Sequence, residues 1–579
     1  MKKLLAAMLL ATAAPALAAP SDDLARVIDD HWAWWLATNP EQATALGERR
    51  YDDKISDVSL AEADRQAAAA QGFLKRLNAV PDSGLSTAER VNKAILARLL
   101  SEQVEANGFG ARQVLFTSYY SWHQGFASLA ENVPLRTRAD FDSYLARLAQ
   151  YPALNREAMR ITRAGVAAGY AQPCVAIGGI EKSITGVITA SPEDSRFYAP
   201  FKGERPGDIS AADWAAMQAR ARTLVTDVLN PEYRAFHEYF VKEYLPKCRQ
   251  SVGASALPDG AAWYAFRVRQ MTTTNLSPEE IHQIGLREVA RIRAEMDAAA
   301  TQAGFASRAA FIAALKSDPR YFAKTPEELL AAAALEAKRH DGLLPRYFSR
   351  LPRLPYGIRA IPAETAEGTT TAYYGPGAPP AGIAGTYFVN TSKLPQRPLW
   401  ELPALTAHEA VPGHHLQIAL QQELELPSFR KYAAGFTAYV EGWALYTERL
   451  GIEMGLYDTP EKTMGRLSYE MWRACRLVVD TGLHAKGWSK ARAVAFMKDN
   501  TALTDANIDA EVNRYISWPG QALGYKMGEL KIRALRARAE AALGTKFDLR
   551  AFHDVVLGQG AVPLDVLEAQ VDAWIATQK

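Results

Sequence analysis

The chain has 579 residues, 48% of them apolar and 22% charged, the composition of a globular protein with a large buried core. Its 66 basic and 64 acidic residues leave a formal net charge of +2, so charge gives no support for a nucleic-acid partner or an anionic membrane surface. The length suits one large domain or two to three smaller ones.

Residues 1–18 read as an export leader. Lys2 and Lys3 precede an apolar run over 4–14, and Ala16-Leu17-Ala18 is a small-x-small cleavage site that places the mature start near Ala19. The run is too short to span a bilayer, and no later segment has the roughly 20 apolar residues a span needs. No cysteine follows the run, which argues against a lipid anchor. The expectation is an exported protein, periplasmic or secreted, with no stable membrane insertion. Cys174 follows Pro173, Cys248 ends YLPKC, and Cys475 sits in an apolar helical pattern. In an oxidising compartment this predicts a Cys174–Cys248 disulfide and a buried Cys475 thiol.

Most of the mature chain is alanine-rich, with apolar residues at three- and four-residue spacing. This predicts amphipathic helices over 22–37, 60–77, 87–105, 138–148, 155–169 and 211–229. Ser277, Pro278, Glu279 and Glu280 mark another helix start, with the helix running to about Ala299. Residues 358–391 differ. Segments 369–374 and 385–390 are strand-like, and the Gly- and Pro-rich 375–382 reads as the turn between them. An edge strand there would suit an extended peptide backbone held by strand addition, with Tyr374 and Tyr387 as candidate contacts. A purely structural hairpin is the equal alternative.

The segment that follows carries the chemistry. His408-Glu409-Ala410-Val411-Pro412-Gly413-His414-His415 holds three of the ten histidines. It is a stretched form of H-E-x-x-H, in which two histidines one helical turn apart bind zinc and the glutamate is the general base. Pro412 occupies the usual second-ligand position and cannot bind a metal, so the second ligand falls to His414 or His415. On a straight helix, i+6 lies about 120° from i, and i+7 lies about 10 Å further along the axis. A kink or bulge at Pro412-Gly413 is therefore needed to bring a second histidine back to His408.

A catalytic zinc site needs a third protein ligand and one open position. Glu441, among apolar and aromatic neighbours in AYVEGWALY, is the leading candidate, since a buried glutamate needs a partner. Glu448, one heptad later, is the runner-up as ligand or supporting group. Arg476, Asp480 and His484 share a helical face. Asp480 is placed to orient His484, and His484 to stabilise an oxyanion or bind substrate. Further on, the aromatic turn RYISWPGQALGY offers Tyr515 or Tyr525 as hydrogen-bond donors and Gln521 as a substrate contact. No G-x-S-x-G, Gly-Lys-Ser/Thr phosphate loop or dinucleotide glycine motif occurs, which argues against common serine hydrolases, nucleotide enzymes and dehydrogenases.

Six stretches, in order over nearly the whole mature chain, carry a family resemblance. They are NPEQATALG at 39–47 followed by YDD, LSPEEIHQIG at 276–285, HEAVPGHHLQ at 408–417, VEGWALYTE at 440–448, RLVVDTGLH at 476–484 and PGQALGY at 519–525. The chain resembles a bacterial family catalogued as domain of unknown function 885, a group similar to the gluzincin metallopeptidases. The resemblance implies a mainly α, zincin-like fold around a deep cleft, with a small β-sheet next to the metal helix. It implies His408 and His414 as metal ligands, Glu441 as the third, Glu409 as base, and one Zn2+ per chain. His415, Glu448 and Asp480 are expected in support, and Tyr374, Tyr387, Arg476, Tyr515 and Gln521 toward substrate. Residues 19–275 would form an N-terminal helical part and 276–579 a metallopeptidase-like part of one continuous domain. The expected function is an exported zinc-dependent peptidase acting on peptides. A non-catalytic peptide-binding protein on the same fold and a metal-dependent amidase with a non-peptide substrate are the alternatives.

Overall fold

Short polar residues set the helix starts. Ser59, Ser86, Thr137, Ser210 and Ser277 each accept a backbone N–H from the first turn of the helix they precede. At Ser86, Thr137 and Ser277 the acidic residue three positions on reaches back, completing a capping box. The structure is a computed structural model describing residues 19–578 other than 118–120, 363–365, 367, 368, 378, 380 and 381. The leader at 1–18 lies outside the described residues.

The protein is mainly helical. The N-terminal helices that answer to the predicted ones are Pro20–Thr38, Leu60–Ala79, Thr87–Asn107, Arg138–Leu148, Tyr151–Ala167 and Ala211–Thr223. Two depart from the predicted bounds by more than two residues. Tyr151–Ala167 starts four residues early because Pro152 occupies its first turn, where a missing N–H costs nothing. The helix expected over 211–229 gives way after Thr223 to a wider π turn, Leu224–Leu229, before Asn230–Tyr239. Pro231 explains this, since its ring and absent N–H are incompatible with an unbroken α ladder. Cys174 and Cys248 are bonded, and Cys475 is a buried free thiol. Among the described residues no helix is long and apolar enough to cross a membrane.

Three strands form one sheet: β1 Tyr356–Ala360, β2 Ala372–Gly375 and β3 Gly385–Val389. The order is β1-β3-β2, with β3 parallel to β1 and antiparallel to β2. Strand β1 was not among the predicted elements; its five residues show no clean alternation between buried and exposed. Strand β2 is shorter than expected, with residues 369–371 outside it.

Seven helices build or back the site, in chain order: α1 Pro278–Gln302, which packs along α5, then α2 Leu402–Glu409, α3 His414–Glu423, α4 Thr437–Leu450, α5 Pro460–Ala485, α6 Asp505–Ser517 and α7 Gly524–Leu543. Every residue of α5 from Met464 to His484 is buried, so this helix is the axis of the C-terminal half. Helices α4 and α7 touch backbone to backbone at Gly442 and Gly528, where a Cβ on Gly442 would sit 2.5 Å from the Gly528 Cα. One apolar core joins Leu24, Leu77 and Leu96 to Leu416, Trp443, Ile532 and Leu567, so the N-terminal helices share a core with α3, α4 and α7. A second, largely aromatic core lies wholly within residues 116–244.

Candidate metal centre

Helix α2 ends at Glu409, and the chain leaves helical geometry over residues 410–413 before α3 resumes at His414. The break is buried, so its freed carbonyls need partners. Thr447 donates to Ala407 O at 2.9 Å, the Trp443 indole N–H to Pro412 O at 2.9 Å, and His340 Nδ1 to Val411 O at 3.1 Å. Gly413 packs directly on the end of α2: a Cβ there would lie 2.0 Å from His408 O. The break thus folds α3 back against α2 and turns His414 toward His408.

Three side chains converge. His408 Nε2 lies 3.5 Å and His414 Nε2 3.4 Å from Glu441 Oε2. The potential ligand atoms of His408, His414 and Glu441 all fall within 4.8 Å of one another. The other nitrogen of His408, Nδ1, donates to Glu448 Oε1 at 2.8 Å, which fixes the ring and aims Nε2 into the cluster. Arg473 Nη2 stands 3.3 Å from the same Glu448 oxygen. Burial opposes charge on His408, yet the adjacent carboxylates of Glu441 and Glu448 outweigh it and raise the group to about 9. For Glu441 burial is likewise outweighed, here by His414 and His408, which hold its carboxyl well below the usual range. The carboxylates thus favour positive charge on His408, and the imidazoles favour negative charge on Glu441.

The donors fit a divalent cation. Two imidazoles and a carboxylate form the three-ligand set of a catalytic zinc site. Glu441 Oε2 is buried without a hydrogen-bond donor, a costly state that a cation between the three groups would relieve. Glu448→Gln is expected to weaken metal affinity about 10–100-fold, the usual effect of losing a carboxylate behind a ligating histidine. Competition against a chromophoric chelator would measure it, and unchanged affinity would remove the orienting role from Glu448.

The cluster opens on a cavity of about 310 Å³. Glu409 lines it beside His408, His414 and Glu441, with Tyr373 and Tyr374 of β2, Trp472, Arg473 and Arg476 of α5, and Tyr525 of α7. The Tyr525 ring lies parallel to His408 at 6.4 Å. Burial and the nearby Glu441 push its hydroxyl above the ordinary value, so it stays a donor at neutral pH.

Other expected site residues lie elsewhere. His415 turns away from the cluster, with Nδ1 2.9 Å from the Tyr374 hydroxyl and its ring against Tyr356; His414 alone of the pair joins His408. His484 is not placed for oxyanion stabilisation, because its Nδ1 accepts from Ala254 N–H at 2.9 Å and its Nε2 donates to Tyr515 O at 3.0 Å. It is a buried clamp between segments. Asp480 does not orient it; the carboxylate accepts from the Tyr264 hydroxyl at 2.6 Å and Gly520 N–H at 3.1 Å. Tyr515 is buried behind the cavity, its hydroxyl accepting from Trp472 and Arg476, both at 3.0 Å. Gln521 is bound to Arg514 and lies outside the cavity lining. Tyr387 faces the core from β3, 3.5 Å from the Thr406 hydroxyl, and makes no part of the cavity wall. Sequence reasoning missed Arg473, Trp472 and Tyr373. Arg473 and Trp472 lie within one turn of Arg476 and carried the only available signal.

Residues 40–571 match a bacterial family described as protein of unknown function, DUF885. The chain belongs to this family. No curated protein matches it. Among solved structures, this DUF885 chain is similar to "the putative lipoprotein from Colwellia psychrerythraea" at 29% identity and TM-score 0.91, covering 97% of this chain and 100% of that one. It is also similar to "a putative lipoprotein of unknown function from Shewanella oneidensis" at 20% identity and TM-score 0.71, with coverage of 96% and 99%. The second likeness speaks for the fold alone.

Proposed function

We propose that this DUF885 protein is an exported zinc-dependent peptidase, built as a zincin-like helical fold around a cleft. The observation that carries the reading is the convergence of His408 Nε2, His414 Nε2 and Glu441 Oε2 beside Glu409, with His408 oriented from behind by Glu448. His408, His414 and Glu441 would hold the metal, and when bound, zinc supplies Lewis acidity at that point of the cavity.

The chain's own residues supply the rest. Glu409 takes a proton from the attacking water and returns it to the leaving amine. The Tyr525 hydroxyl donates to the developing oxyanion. Strand β2 is an edge strand whose Tyr373 and Tyr374 line the cavity, which suits an extended peptide paired by strand addition. Export is supported by the leader at 1–18 and by the description of the 29%-identical relative as a "putative lipoprotein".

The first test is metal content of the purified mature protein beside His414→Ala, by elemental mass spectrometry. About one zinc per chain in the wild type and less than about a tenth of that in the variant is expected, since a two-ligand site holds zinc poorly. No metal in the wild type after zinc is added back would reject the reading in favour of a peptide-binding role without catalysis.

A further inference from the structure

We infer that Arg476 anchors the free carboxylate at the C-terminus of a bound peptide, so that the protein works from the C-terminal end of short peptides. This deepens the peptidase reading and rests on it.

Arg476 is 3% exposed and forms part of the cavity wall. Its guanidinium lies against two rings, 4.5 Å from Trp472 and 4.3 Å from Tyr525. Nε donates to the Tyr515 hydroxyl and Nη2 to Glu511, both at 3.0 Å. Nη1 is buried with no partner. Two nitrogens are therefore fixed and the third is uncommitted, at a cost that only an acceptor would remove. The neighbouring Arg473 differs in which nitrogen is left over: both its Nη groups are engaged, by Glu448 and by Tyr469 O, and only its Nε lacks a partner, so it offers no free Nη to a ligand. Glu511 is also shared: Arg514 Nη2 donates to the same oxygen at 2.8 Å. One carboxylate thus serves two guanidiniums, which leaves Arg476 receptive to another anion.

The ligand chemistry follows. A rigid, stacked guanidinium is suited to a carboxylate. The Tyr525 ring lies 4.3 Å from the Arg476 guanidinium carbon and 6.4 Å from the His408 imidazole, so the two groups are no more than about 11 Å apart. The contacts of the carboxylate with Arg476 and of the scissile carbonyl with the metal centre take up part of that distance, and one or two residues of extended chain, at about 3.3–3.6 Å each, bridge the rest. The scissile bond would therefore lie one or two residues from the anchored end. A carboxylate on a substrate side chain offers the same chemistry, so the test must separate the two.

The zinc-loaded wild-type protein would be given pentapeptide pools lacking Asp and Glu, once as free acids and once as C-terminal amides, with products read by mass spectrometry. A third pool would carry internal Glu and an amidated end. Free acids are expected to lose one or two C-terminal residues, and both amide pools to be cut at least about 10-fold more slowly. Calorimetry with the Glu409→Gln protein would read binding without turnover; the same preference for free acids is expected, and Arg476→Lys introduced into that protein should shrink it. Equal cutting of all pools overturns the anchor while leaving the peptidase reading intact. Cutting of the Glu-containing amides as fast as free acids moves the carboxylate to a side chain and overturns it too. No cutting and no binding of any pool overturns both readings.

Discussion

Replacing Glu409 with Gln is expected to slow peptide hydrolysis about 10²–10⁴-fold, the range supplied by a positioned general base, with metal content unchanged. Glu409 is the last residue of α2, adjacent to His408, and it lines the cavity rather than joining the three-atom cluster. The amide keeps the size of the side chain and removes its capacity to accept a proton, so binding and chemistry separate. Steady-state hydrolysis of a peptide pool, paired with elemental analysis of the same sample, decides it. Full activity would sink the mechanism. Loss of metal together with activity would recast Glu409 as a structural part of the metal centre.

Gly413→Ala is expected to destroy the centre without touching a ligand. The added Cβ would lie 2.0 Å from His408 O and 2.4 Å from Ala407 O, and both obstacles are backbone of the helix that carries His408. Helix α3 must then move away from α2, taking His414 with it. Zinc content below about a tenth per chain is expected, with a stability loss of at least about 1–3 kcal/mol, the usual cost of over-packing. Gly435→Ala is the control, because its Cβ would meet nothing within 4 Å; it should leave both metal content and melting temperature near wild type. Wild-type metal affinity in Gly413→Ala would show that the close contact at the break is not what holds the two histidines together.

Much of the architecture was legible locally. Helix starts follow from Ser and Thr caps, which act within one turn, and the β2–β3 region followed from β-branched and aromatic residues set between Gly and Pro. Strand β1 was not legible, since its partner β3 pairs with it in parallel from across an intervening segment that includes β2. The misplacement of His484, Asp480 and Tyr515 has one cause. Shared helical phase shows which residues lie on one face, but α5 is buried on every face, and only its neighbours decide which face meets a cavity. Residues 472, 473 and 476 meet it; residues 480 and 484 meet the segments at 254 and 515–520 instead.

The sequence by itself determined the chemical inventory: a glutamate between histidines, a Pro-Gly break that forbids a straight helix, and an inward glutamate 33 residues after His408. Those follow from bond geometry and from the cost of burying charge, which need no knowledge of the rest of the chain. Tertiary structure alone decided that His414 rather than His415 turns inward, because the answer depends on side chains of residues 340, 443 and 447 that cap the break's carbonyls from other helices. It also decided that the nitrogen left unpaired is Nη1 in Arg476 and Nε in Arg473, since for Arg476 that depends on a partner drawn from α6 and on aromatic rings from α5 and α7.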